Sequence, residues 1–176
     1  MWAITSKFGD KEFFRDRPHT GVDLAMEKGH PLKSLVDGHV TLIDSGTEGI
    51  GKGVVITNEK GLQFIYGHLD NFNINDGDLV KRGEIIGASG NTGFSTGPHL
   101  HFGLKENGEF INPSAYIDDL QNMDSLVVNE SLSITDFIKQ TQLDWNDLFQ
   151  NLFASFSYLG NLFDYTIFTQ LFQYFM

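Results

Sequence analysis

Two histidines stand one residue apart in GPHLHFGL, residues 97–104, in a chain that has only six. In an extended strand, side chains at i and i+2 share a face, so His99 and His101 converge while Leu100 turns away. A second stretch, HTGVDLA, sets His19 and Asp23 four residues apart, again on one face. Thr20, Gly21 and Val22 between them favour an extended segment over a helix. Two imidazoles and a carboxylate make a donor set without thiol. That set suits one Zn²⁺ with a fourth position left open. Either His99 or His101 supplies the third ligand, and the other lies beside the open position. His68, in YGHL, is a further candidate at a strand end. The chemistry implied is hydrolytic: such an ion brings the pKa of water to about 7 and polarises a carbonyl. A neutral histidine can accept the proton, and a protonated one can steady an oxyanion.

These residues need a scaffold, and residues 1–119 read as one. They hold all but one of the 19 glycines, all four prolines and all six histidines. GHVTLID (38–44), GVVITN (53–58) and LQFIYGHL (62–69) are rich in β-branched and aromatic residues, and glycine- and asparagine-bearing turns separate them. EIIGASG and HLHFGL follow. Regularly spaced short strands predict a mainly β domain, an antiparallel sheet or open barrel. Residues 120–176 differ: they carry half of the 16 phenylalanines, one glycine and no proline. Leu148, Phe149, Leu152, Phe153, Phe156 and Leu159 begin an apolar series at spacings of three and four, which predicts an amphipathic, aromatic-rich helical appendage. The expected boundary lies at 119/120.

Bulk properties narrow the partners. A net charge of −11 excludes nucleic acid as an expected ligand and disfavours anionic membrane surfaces. With no cysteine there is neither a disulfide framework nor a thiolate metal site. The start, MWAITSKFGD, shows no signal-peptide core. Polar residues break each apolar run of the tail well short of the roughly 18 residues a membrane span needs.

Several ordered blocks point further: HTGVDLA, GHVTLID, GKGVVI, YGHLDNFNINDGDLVKRGEIIGASGNTGFSTGPHLHFGL and NGEFINPSAYI. From about residue 4 to residue 117 the chain resembles the lysostaphin-like (LytM-type) zinc metalloendopeptidases, which cut peptide bonds in bacterial peptidoglycan. The resemblance implies that His19, Asp23 and His101 are the metal ligands, through H-x-x-x-D and the second histidine of H-x-H. It implies that His68 and His99 are catalytic without binding the metal, their division into base and oxyanion stabiliser left open. It also implies one Zn²⁺ per chain and a groove above a mostly antiparallel sheet. Two positions depart from the family pattern: FGDKEFFRDR where an arginine often follows FG, and Gly103 where a glutamate often follows H-L-H-F. Both are read as differences in groove wall and substrate preference.

The function expected is a phage-borne or processed lytic enzyme, extracellular or virion-associated, acting on peptidoglycan peptides at the cell wall. The alternative is a catalytically silent wall-binding component of a virion tail. Residues 143–176 are expected to dock on a second copy of the chain or a virion-tail partner, in preference to a membrane. Ser89, Thr92, Ser95 and Thr96 lack the surroundings of a serine nucleophile and are assigned to turns and groove lining. Tyr66 and Asn112 are candidates for substrate contact or, equally, for packing and turn formation. His30 and His39 are read as incidental.

Overall fold

The computed structural model describes residues 1–11 and 17–128. Of the appendage only residues 120–128 are described, and the docking segment 143–176 lies outside the described residues. The compact unit runs from Met1 to Asn129. It is built from two antiparallel sheets. The larger contains β1 (Ile4–Ser6), β2 (Gly21–Ala25), β4 (Gly38–Asp44), β5 (Lys52–Thr57), β6 (Gln63–Gly67), β8 (Leu79–Val80), β10 (His99–Glu106) and β11 (Glu109–Ile111). Its order is β1-β2-β10-β6-β5-β4-β8, with β11 paired to the far end of β10. The smaller sheet is β3 (Pro31–Lys33), β9 (Ile85–Ser89) and β7 (Leu69–Phe72), in the order β3-β9-β7. The mainly antiparallel β architecture expected from the turn spacing is the one observed.

Period-two alternation decides which side chains enter the core. On β10, Leu100, Phe102 and Leu104 are buried in the apolar cluster, while His99, His101, Gly103 and Lys105 take the opposite face. Val22 and Leu24 of β2, Phe64 and Tyr66 of β6, and Val54 and Ile56 of β5 join the same cluster. Leu32, Leu69 and Ile86 of the smaller sheet complete it, so both sheets bury one core. Phe64, Tyr66 and Phe102 stack as tilted and edge-on pairs, with ring centroids 5.3 and 6.3 Å from Phe102. Leu120 of the short helix α1 (Ile117–Gln121) and Met123 are also fully buried here, beyond residue 119. The change of composition at residue 119 therefore does not mark the end of the packed β core, since both inward side chains lie beyond it.

LQFIYGHL, read as one strand, is two. β6 ends at Gly67 and β7 begins at Leu69, in different sheets. The break is His68, whose φ of 64° lies in the left-handed region uncommon for a side-chain-bearing residue. Its backbone N–H donates to the Ile50 carbonyl, which holds the turn.

Tyr66 belongs to the core and does not face substrate. It is fully buried, and its hydroxyl accepts a hydrogen bond from the Leu35 N–H at 2.9 Å. Burial raises its phenol pKa, so it stays a neutral hydroxyl. Asn112 accepts from the Ser114 N–H and caps the 3₁₀ turn Pro113–Tyr116. Tyr66→Phe keeps the ring volume and strands the Leu35 N–H. Urea unfolding is expected to show a loss of about 1–3 kcal/mol with metal content unchanged; an unchanged midpoint contradicts this role.

Candidate metal centre

Antiparallel register creates the site. Asp23 on β2 pairs directly with His101 on β10, and directly opposed residues project to one face. His19 precedes β2, and its backbone is clamped on both sides: its N–H donates to the Asp10 carbonyl, and its own carbonyl accepts from Gly9. The three side chains are buried and meet in a small triangle. Asp23 Oδ1 lies 2.8 Å from His101 Nδ1 and 3.1 Å from His19 Nε2, and the two nitrogens are 3.0 Å apart. Donor atoms about 2.0–2.1 Å from a tetrahedral ion stand about 3.3 Å from one another, close to this spacing.

Proton placement favours a cation. His19 Nδ1 lies 3.0 Å from the Lys7 carbonyl and 3.0 Å from Ser6 Oγ. A carbonyl can only accept, so Nδ1 carries the ring proton. In the neutral imidazole Nε2 then presents a lone pair to the triangle. A lone pair and a carboxylate oxygen thus converge in a buried space, an arrangement that a metal ion satisfies. Burial opposes ionisation of Asp23, but hydrogen bonds and charge from His101 and His19 outweigh it. They hold the carboxyl far below the usual carboxylate range. Burial also pushes the His101 imidazole down, toward its neutral, ligating form. The donor set therefore fits a metal ion.

His68 and His99 stand beside the triangle. Their ring centroids are 4.5 Å apart, and that of His68 is 5.8 Å from His101. Each is tethered through Nδ1 to a backbone carbonyl, His68 to Thr92 at 2.7 Å and His99 to Gly97 at 2.7 Å. Both tethers put the proton on Nδ1 and leave Nε2 as the acceptor end. His99 Nε2 is buried, without a hydrogen-bond partner among the described residues, and lies 3.8 Å from Asp23 Oδ2. Burial pushes His68 down to about 4, with the neighbouring imidazoles adding to the effect and the Thr92 carbonyl partly offsetting it.

One loop holds both tethers. Thr92 Oγ1 donates to the Leu69 carbonyl and accepts from the Lys52 N–H. Ser95 Oγ lies 3.2 Å from His99 Nδ1. The loop is locked against residues 49–51, where a Cβ on Gly51 would fall 2.3 Å from the Gly93 nitrogen. The turn reading of Thr92 and Ser95 missed this tethering, and nothing in the sequence pointed to Ser6 as a contact of His19. Ser89 is fully buried and bonds Glu27 and His30. His30 meets Asp124 at 2.8 Å, away from the triangle, and His39 is exposed on β4. From His101 a groove of about 280 Å³ extends over the outer face of the larger sheet toward Lys105.

Comparison with known proteins gives the family of the scaffold. Residues 17–113, more than half of the chain, match Peptidase family M23. The catalytic domain of the antimicrobial peptidase lysostaphin from Staphylococcus simulans superposes with a TM-score of 0.61 at 31% identity, covering 66% of this chain and 92% of that one. The catalytic domain of the prophage-encoded M23 protein EnpA from Enterococcus faecalis gives 0.59 at 34% identity, over 66% and 92%. The DD-carboxypeptidase/endopeptidase Mpg of Neisseria meningitidis serogroup B is 41% identical over 97 residues, 55% of this chain and 22% of its own length. The chain spans well under half the length of the curated relatives it matches. On the family match, and in keeping with a β scaffold that gathers His19, Asp23 and His101, the chain belongs to peptidase family M23.

Proposed function

We propose that the chain is a zinc-dependent endopeptidase that hydrolyses peptide bonds of bacterial peptidoglycan. His19, Asp23 and His101 hold the ion, one per chain, and His68 and His99 are the catalytic residues. The observation that carries this reading is the triangle of His19 Nε2, Asp23 Oδ1 and His101 Nδ1, with His19 fixed in its ligating tautomer. Imidazole and carboxylate donors without thiol favour zinc. The family match and the likeness to lysostaphin support peptide hydrolysis at the wall. Its site of action is outside the cell, in a released or virion-borne form.

A bound Zn²⁺ would supply a Lewis acid for the scissile carbonyl and lower the pKa of water. The chain's own residues manage the proton. A neutral imidazole, His68 or His99, accepts it at Nε2 from the attacking water as the new C–O bond forms. The other ring, in its protonated form, steadies the oxyanion, and the imidazolium formed from the base gives its proton to the amine nitrogen as the C–N bond breaks. The carbonyl tethers fix both rings before substrate arrives, which removes a reorientation cost from the reaction.

His19→Ala, Asp23→Ala and His101→Ala are expected to lose both zinc, measured by elemental analysis, and activity. His68→Ala and His99→Ala are expected to keep one zinc and lose about 10²–10⁴-fold in kcat; zinc loss in these two contradicts the division of roles. Zymography on bacterial walls tests the reaction itself. Clearing that a chelator abolishes and added zinc restores is expected, whereas wall binding without clearing favours the silent tail component.

A further inference from the structure

The groove beyond His101 has a chemical character of its own. Val55 and Ile65, nearly buried, are among its apolar lining. At its far end stands Lys105, which among the described lining residues is the one side chain that carries a permanent charge. Lys105 pairs across the sheet with Gln63 on β6 and with Phe110 on β11. Its ammonium sits 4.4 Å from the centre of the Phe110 ring, which orients it. No carboxylate among the described residues pairs with it, although the chain carries 23 acidic residues against 12 basic ones. Between His101 and Lys105 lies Gly103, where a Cβ would meet only ordinary contacts of 3.5 Å or more. Packing therefore leaves room for a side chain there, and its absence keeps the groove open along β10.

We propose that this end of the groove is a carboxylate subsite, in which Lys105 pairs with an acidic group of the bound peptide. Resting on the peptidase reading of the same site, it names the substrate class: carboxylate-bearing peptides with small alkyl side chains, in preference to oligoglycine. Lys105 lies four residue steps along β10 from His101, about 13 Å. The carboxylate partner thus lies about three to four residues of extended peptide from the scissile bond. That spacing selects an internal carboxylate over the terminal carboxylate of a residue next to the cut. The apolar lining gains nothing from glycine and buries alkyl groups.

The test uses the zinc-loaded full chain and soluble stem-peptide fragments. One set has the internal carboxylate free or amidated, a second the C-terminal carboxylate free or amidated, and pentaglycine serves as comparison. Internal amidation is expected to lower kcat/KM about fivefold to tenfold, and terminal amidation to change it less. Lys105→Met is expected to bring the free-carboxylate peptide down to the level of its amide at constant zinc content, and Lys105→Arg to retain the preference. Equal rates for acid and amide, a preference surviving in Lys105→Met, or faster cleavage of pentaglycine overturns the proposal. If no fragment is cut, calorimetric titration of the same pairs decides. Tighter binding of the acid upholds the subsite while the hydrolytic reading fails, and equal Kd values overturn the subsite.

Discussion

The pairing of β2 with β10 is the constraint from which the centre follows. It sets Asp23 opposite His101, so two donors share a face without any loop having to find its conformation. A slip of β2 by one residue would turn Asp23 into the apolar core, bring Val22 or Leu24 outward and leave His101 without its carboxylate partner. The core on the other face therefore guards the register, since Leu24, Leu100 and Phe102 are fully buried. Folding energy and site geometry are coupled through one sheet. His19 is the exception, a pre-strand residue held by backbone bonds to residues 9 and 10 and a side-chain bond to the Lys7 carbonyl.

The second constraint is the use of backbone carbonyls to set imidazole tautomers. His19, His68 and His99 each direct Nδ1 to a carbonyl, those of Lys7, Thr92 and Gly97. Each keeps Nε2 available for its task. The Thr92 loop serves two rings at once, and its fit against Gly51 leaves no space for a Cβ on either glycine. Rigid support of this kind holds a site whose members come from separate strands and turns.

Much of this was legible in the chain itself. The spacings of His19 with Asp23 and of His99 with His101 announce shared faces, and alternation along GHVTLID and HLHFGL places those strands. The tethers were hidden, because a carbonyl of Lys7 or Gly97 has no signature in residue type. Position 68 was recognisable as a histidine at a strand end. Its left-handed backbone was not, since only a few per cent of residues other than glycine adopt it, histidine included. Tyr66 was ambiguous because a tyrosine two residues from a catalytic candidate suits either face of a strand. The opposite parity to Gly67 and Ile65 sends it inward. Leu120 and Met123 were separated from the core by composition alone, because the loss of glycine, proline and histidine after residue 119 says nothing of which side chains turn inward.

Zinc-edge anomalous diffraction from a crystal grown with one equivalent of zinc tests the centre most directly. The geometry predicts a single ion about 2.0–2.2 Å from His19 Nε2, a carboxylate oxygen of Asp23 and His101 Nδ1, with neither His68 nor His99 coordinated. An ion seated on other residues, or one ligated by His68 or His99, contradicts the assignment.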